Sequence, residues 1–600
     1  MHMLLSRVQI KNFRNFAYVD VSLSPNVIII GENRVGKSNF IYALRLVLDS
    51  SLPDSARQLK ISDIWDGHSF HNSSDPEDPE IEIHLDFTDF DDDDNLIALL
   101  TDYRLAEDHN IARLSYVFRK KEEVEGHPAS EADFEFKVFG GGDETRSINS
   151  QVRRRVCLDV LHALRDAEND LGTWRNSPLR PLLEDSISQI PKEDLHYVAR
   201  LINDANIQLT AFESIKKLED NLRQQMTELG GETQDIKSKL GFTSTDPLRL
   251  FRAIRVFIDD GKRGINEASL GSANIALLTL KLAEFGWRQE KNERNFTLVA
   301  VEEPEAHLHP HLQRKIFGNL FEKNGENGRS FILTTHSPNI ASITPLKAVI
   351  LLKDEGENGT KAYSLAKLSF RIEDLEDLHR YLNTTRAELL FSRGVIFVEG
   401  DAEEALVPVF ARNLGYDLDS LCITVCNVGG TNFKPYARLA TALNLPFAII
   451  TDWDPREDGK AYGWARSIQL IFAIRIVQGR GLPKKDNIIK LREDERYLRA
   501  IAKQYGIFLN DDTLETEIAN TRSLIDPLLK VLAEQNFGQK LTERLNEWSE
   551  DNSIIDSAQL MLMIGYVKKG RFADLLAKEV TELTPPEYIK LAIERVVNNG

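Results

Sequence analysis

The sequence predicts an α/β protein in two parts, a first half interrupted by a helical insertion and a second, separate α/β half. Three observations lead there. Strand-like and helix-like patterns alternate through most of the 600 residues. A glycine-rich loop, Gly31 to Ser38, follows a short β-branched run and opens a helix. Two later apolar runs, ending at Val398 and Ile450, each deliver a pair of acids.

Composition narrows the class. At 42% apolar and 28% charged residues the chain is expected to be globular, with about two to four domains. No apolar run approaches the ~18 residues of a membrane helix, and the start lacks a secretory stretch, so no membrane contact is expected. The three cysteines, Cys157, Cys422 and Cys426, cannot make a disulfide framework, which points to the cytoplasm. Cys422 and Cys426 are expected as small core residues. The formal charge of −19 excludes indiscriminate coating of nucleic acid but not a local channel. Residues 72–94 hold eleven acids and no Lys or Arg, and are expected to form a solvated acidic loop. Residues 464–510 hold ten basic side chains, Arg466 among them, against four acids. That segment either faces a phosphate backbone or is a mixed-charge helical surface.

In chain order, Val27 to Ile30 is a buried-strand candidate leading into Gly31-Glu32-Asn33-Arg34-Val35-Gly36-Lys37-Ser38. The glycines let backbone N–H groups wrap phosphate, and the helix dipole at Asn39 to Leu48 adds to the attraction. Asn33, Gly36, Lys37 and Ser38 are the candidate ATP-binding positions, Lys37 reaching the β- and γ-phosphates and Ser38 ligating Mg²⁺. Within a long helical stretch, Ile215, Leu218, Leu222, Met226 and Leu229 form a short stripe ending at Gly230. It is either a dimerising hairpin or a helix packed on its own domain. Ser269, Leu270 and Gly271 open a helix whose small residues permit close approach to phosphate from a second subunit. The strand Phe296 to Val301 ends in Glu302, on the Mg²⁺ side, and Glu303, a candidate base for water. Ser330 to Thr335 is a further strand, placing His336 where it can sense the γ-phosphate. His307, His309 and His311 fit the loop after the Glu302 strand better than a zinc site.

The order GxxxxGKS, SLGS, EEP, THS resembles an ATP-binding-cassette (ABC) ATPase, and Ile10 to Phe16 resembles the first strand of its RecF/SMC-like branch. That resemblance implies two heads sandwiching ATP, hence a homodimer, with Ser269 and Gly271 completing the partner's site. Glu302 departs from the usual Asp. Residues 354–360 suggest a hairpin turn, and a linker is expected near 380–392.

In the second half, Val395 to Val398 leads into Glu399-Gly400-Asp401-Ala402-Glu403, with Glu399 at the strand tip and Glu403 in the first helical turn. Pro446 to Ile450 then delivers Asp452 and Asp454, which alternation puts on one side. Four acids at adjacent strand ends suit Mg²⁺ or Mn²⁺, and paired metals can activate water and stabilise a leaving oxygen. E-G-x-x-E followed by D-x-D, with Asn427 to Thr431 between, resembles the Toprim fold.

An ABC ATPase followed by a Toprim domain resembles the OLD-family nucleases, including the Gabija-type GajA proteins. The resemblance implies an ATP-regulated, metal-dependent DNA endonuclease in anti-phage defence, a homo-oligomer working alongside a separately encoded UvrD-like helicase. It adds Glu515 as a metal ligand and a late basic motif, in which Lys569 is the chosen charge stabiliser and Lys568 and Arg571 are alternatives. The expected domains are an ABC ATPase over 1–150 and 246–380, a helical insertion and possible dimerisation element over 151–245, and a Toprim nuclease over 390–600. A RecF-like DNA binder whose second half does not cut, and a topoisomerase-like enzyme, are the rival readings.

Overall fold

The structure, a computed structural model, describes residues 3–67, 80–124, 128, 130–161, 174, 177–230, 240, 251–252, 254–258, 262–322, 329–367, 386–457 and 459–599. Two compact units divide the chain: Met1–Leu161, Phe296–Glu305 and Pro310–Gly600 in one, His162–Asn295 with Ala306–His309 in the other. Among the described residues no helix is long and apolar enough to cross a membrane.

The first half of the larger unit pairs two six-stranded sheets. One runs Thr360–Ser364, Val349–Asp354, Asn26–Ile30, Arg329–Thr334, Phe296–Glu302, Val156–Leu161, parallel except for its first pair. Its central strands are continuously apolar, as burial on both faces requires. The other, antiparallel, has Ile81–Thr88 and Ala112–Lys120 at its centre, with Leu4–Phe13 beside the former. Helix Lys37–Leu48 buries Phe40, Ile41, Leu44, Val47 and Leu48 in the core shared by both sheets. Phe87 of one sheet meets Phe296 of the other edge-on, ring centroids 5.7 Å apart.

Three expectations change here. Val156–Leu161, beyond the boundary expected at residue 150, is an edge strand of the parallel sheet, because its apolar run pairs with Phe296–Val301. The part of the acidic segment that is described is not all loop. Glu82 and Asp86 lie on Ile81–Thr88, whose alternating pattern buries the intervening apolar side chains. Asp86 is 2% exposed and takes Arg113 at 2.6 and 2.8 Å; residues 72–79 fall outside the described residues. Of the linker expected at 380–392, residues 380–385 also fall outside, and Arg386–Phe391 is a 3₁₀ turn. The turn at 354–360 does join antiparallel strands.

The smaller unit is mostly helical. Helix Glu213–Gly230 carries the apolar stripe, with Leu218 49% and Met226 40% exposed. Lys192–Thr210 also has no buried residue and exposes Tyr197, Leu201 and Ile207.

The second half of the larger unit is a four-stranded parallel sheet in the order Ile423–Asn427, Gly394–Val398, Phe447–Thr451, Ile507–Leu509. Helices Asp401–Asn413, Lys569–Glu579 and Glu587–Asn599 contribute to its core. Cys426 is buried as expected, whereas Cys422, at a positive φ of 54° ahead of its strand, is exposed.

Candidate active sites

In the first half, strand Asn26–Ile30 feeds the loop that wraps onto helix Lys37–Leu48. Gly36 has φ 100°, and a Cβ there would lie 2.1 Å from the Asn15 side chain, so only glycine fits. Asn15 Nδ2 in turn donates to the Val35 carbonyl at 2.6 Å, fixing the loop from below. Lys37 Nζ donates to the carbonyls of Gly31 at 2.9 Å and Glu32 at 2.7 Å. Burial pulls this ammonium down to about 8, against the charges of Glu303, Glu305 and Glu32. An anionic phosphate would replace the carbonyls as its partner and restore the full charge. Asn33 and Ser38 are exposed at the loop surface.

Glu302 ends its strand opposite Thr334. Glu303 is exposed, with φ 45°, and its N–H is held by the Thr334 carbonyl at 2.9 Å. His336 is kept away from the charged form by burial and by Lys37. The sequence motifs missed Glu305: it accepts from the Thr335 hydroxyl at 2.8 Å and the His336 N–H at 2.7 Å, and so orients the histidine. Its only signal was a third acid in Glu302-Glu303-Pro304-Glu305.

In the smaller unit, Ser269 caps helix Leu270–Glu290, its hydroxyl accepting from the Ser272 N–H at 3.2 Å. A Cβ on Gly271 would come within 2.6 Å of the His307 carbonyl oxygen. The small residue expected for phosphate approach is therefore already required by packing inside this unit.

In the second half, parallel strands bring Glu399, Asp452 and Asn510 to one sheet edge. Glu399 Oε1 accepts from the Asp452 N–H at 3.1 Å, from the Thr451 hydroxyl and from Arg466 Nη1 at 2.6 Å. Asp452 Oδ1 accepts from Asn510 Nδ2 at 2.5 Å, and Asn510 Oδ1 takes the Trp453 N–H at 2.8 Å. Burial, with the charges of Glu399 and Glu403, pushes the Asp452 carboxyl up to about 8. Burial likewise pushes Glu403, in the first turn of its helix, to about 7, helped by Glu399 and Glu515. Glu515 is 2% exposed; its Oε1 pairs with Lys569 Nζ at 2.9 Å and its Oε2 is buried without a hydrogen-bond partner. Burial pulls Lys569 down, but the hydrogen bond and charge of Glu515 outweigh it and raise its pKa. Lys568 sits at φ 73° as the cap of the same helix, and Arg571 is exposed.

Two placements differ from expectation. Arg466, counted with the basic 464–510 segment, points into the acids, fitting neither alternative for that segment, because its helix Tyr462–Val477 starts immediately beside the D-x-D loop. Asp454, at φ 51°, takes Arg466 Nη2 at 2.8 Å. Among the described residues no three His, Cys, Asp or Glu side chains stand close enough to hold an ion as they are. The chain's own cations, Arg466 and Lys569, occupy that space instead. The donor set still fits a hard divalent cation: it is all carboxylate, Asp452 and Glu403 are pushed up by burial and then by neighbouring acids, and Glu515 Oε2 lacks a partner. Asn510 was invisible in sequence, being a lone amide after a three-residue strand.

Family models match two stretches. Residues 27–342 match an AAA domain described as putative AbiEii toxin, type IV TA system, and residues 390–454 match the Toprim domain of overcoming lysogenization defect (OLD) protein-like sequences. An OLD nuclease from Thermus scotoductus is 25% identical over 466 residues, 75% of this chain and 82% of the relative. The endonuclease GajA of Bacillus cereus is 23% identical over 475 residues, 75% of each chain. The solved C-terminal region of the Burkholderia pseudomallei OLD protein is 36% identical, covering 35% of this chain and 98% of that one, with a TM-score of 0.30.

Proposed function

This chain belongs to the OLD family, with an AAA-type ATPase domain followed by an OLD-like Toprim domain, and on that premise we propose that it is an ATP-regulated, divalent-metal-dependent DNA endonuclease. One observation carries the reading: the charges of Glu399, Glu403, Asp452 and Glu515 act on one another beside the strand ends that carry Glu399 and Asp452, with Lys569 bonded to Glu515.

Glu403, Asp452, Glu515 and Glu399 would hold Mg²⁺ or Mn²⁺, with Asp454 beside them. Such an ion supplies Lewis-acid activation of water and of phosphoryl oxygens. Lys569 presents a partly exposed ammonium to charge developing on the phosphate. Asn510 keeps Asp452 oriented through its hydrogen bond. In the ATPase domain Asn33, Gly36, Lys37 and Ser38 would hold ATP, Glu302 would serve its Mg²⁺, Glu303 would act as base for water and His336 would respond to the γ-phosphate. Ser269 and Gly271 complete the site of a second subunit in a homodimer or larger homo-oligomer. The exposed stripe of Glu213–Gly230 is the candidate contact for that assembly. Relatives carrying nuclease names at this coverage support DNA as substrate. Cytoplasmic anti-phage defence, with a separately encoded UvrD-like helicase, is the corresponding biological role.

Supercoiled plasmid with Mg²⁺ or Mn²⁺ at increasing ATP tests the reading. Nicked and linear products support it. Relaxed topoisomers would favour the topoisomerase-like alternative, and unchanged plasmid the non-cutting RecF-like one.

A further inference from the structure

We propose that Arg466 is an internal counter-cation that holds the Glu399 and Asp454 side of the acidic cluster, so that a second divalent ion binds there only by displacing it. This deepens the metal-dependent reading above and rests on it.

The Arg466 side chain is 12% exposed, and both arms of its guanidinium are engaged. Nη1 donates to Glu399 Oε1 at 2.6 Å, to the Thr451 hydroxyl and to the Asp452 carbonyl at 3.2 Å, while Nη2 donates to Asp454 Oδ2 at 2.8 Å. A guanidinium stays charged at every physiological pH, and its rigid fork matches two acceptors at once. The cluster is thereby split. Lys569 holds Glu515 Oε1 on one side, Arg466 holds Glu399 and Asp454 on the other, and Glu403 and Asp452 are electrostatically coupled to both sides. Neither Glu515, whose Oε2 is buried without a partner, nor Glu403 nor the Asp452 carboxylate is bonded to Arg466, so a first ion has donors in these three without breaking any of its bonds. A second ion needs Glu399 and Asp454, and each is already spoken for by a charge-assisted bond. The helix carrying Arg466 is anchored by Trp464, whose ring lies 5.7 Å from that of Trp453 within the D-x-D segment, so the guanidinium is held at the acids.

The test counts ions rather than turnover. Mn²⁺ is titrated into the full-length protein without nucleotide, and free ion is followed by electron paramagnetic resonance. Wild type should bind one Mn²⁺ tightly and a second at least about tenfold more weakly, the ratio set by one competing charge-assisted bond. Arg466→Gln should bring the second affinity to within about threefold of the first. Arg466→Lys keeps the charge but cannot bridge both acids, and should fall between; thermal melting of each variant checks that it folds. Identical Mn²⁺ affinities in wild type and a folded Arg466→Lys or Arg466→Gln would overturn the proposal. Wild type that binds no Mn²⁺, or binds it unchanged by Glu403→Gln, would instead overturn the metal-dependent reading itself.

Discussion

Replacing Asp452 by Asn should stabilise the metal-free protein, and by more as the pH rises. The folded carboxyl titrates at about 8 because burial and the charges of Glu399 and Glu403 oppose its ionisation; in an unfolded chain an aspartate titrates near ~3.9. Between those values the folded state keeps a proton that the unfolded state has released. The unfolded state therefore binds fewer protons, and stability falls as pH rises from about 4 to about 8. At ~1.4 kcal/mol per pH unit the cost is about 1.5 kcal/mol at pH 5 and about 5.5 kcal/mol at pH 8. Glu403, pushed up to about 7, shares the same neighbourhood, so removing one acid of the pair relieves about half the cost, ~0.7 kcal/mol at pH 5 and ~2.7 kcal/mol at pH 8. For a domain of about 200 residues that is a rise in Tm of about 2 °C at pH 5 and about 5–11 °C at pH 8. Calorimetry in EDTA at both pH values reads it. In millimolar Mn²⁺ the order reverses, because only wild type retains the full donor set. A gain equal at both pH values, or a variant less stable than wild type at pH 8 in EDTA, would refute the reasoning.

Lys569→Met should lower the cleavage rate by about 10²–10³-fold, whereas Lys568→Met and Arg571→Met should stay within a few-fold, measured on one plasmid substrate. Lys37→Ala should abolish binding of a fluorescent ATP analogue, while Glu303→Gln should retain it and slow phosphate release at least ~10²-fold. Arg393, just before the Gly394–Val398 strand, pairs with Glu32 of the phosphate loop at 2.8 Å. Arg393→Glu sets two like charges opposite one another, and the ratio of cleavage with and without ATP should move toward one while ATP affinity changes less than about threefold. Joint substitution of Leu218 and Met226 by Lys should shift sedimentation velocity to a smaller species if the exposed stripe joins two copies.

Much of the fold was legible because its signals are local. The β-branched run before Gly31 and the apolar runs before Glu302, Glu399 and Asp452 all became strands. What escaped depends on direction in space. A charge count placed Arg466 in a basic segment that either faces DNA or is a mixed-charge surface, yet helix phase turns it onto Glu399 and Asp454. Glu305 works by accepting from a hydroxyl and a backbone N–H, which no spacing rule marks. Asn510 matters only because a fourth strand returns it beside Asp452. The acids near residue 82 looked like solvated loop because net charge hid the two-residue alternation of a strand.

A nuclease of this kind must cut with its Toprim acids. Supercoiled plasmid incubated in Mg²⁺ or Mn²⁺ with wild type, Glu399→Ala and Glu403→Ala, each verified as folded, tests it most directly. Wild type should give nicked and linear DNA and both variants intact plasmid; full cutting by either variant would place the chemistry elsewhere.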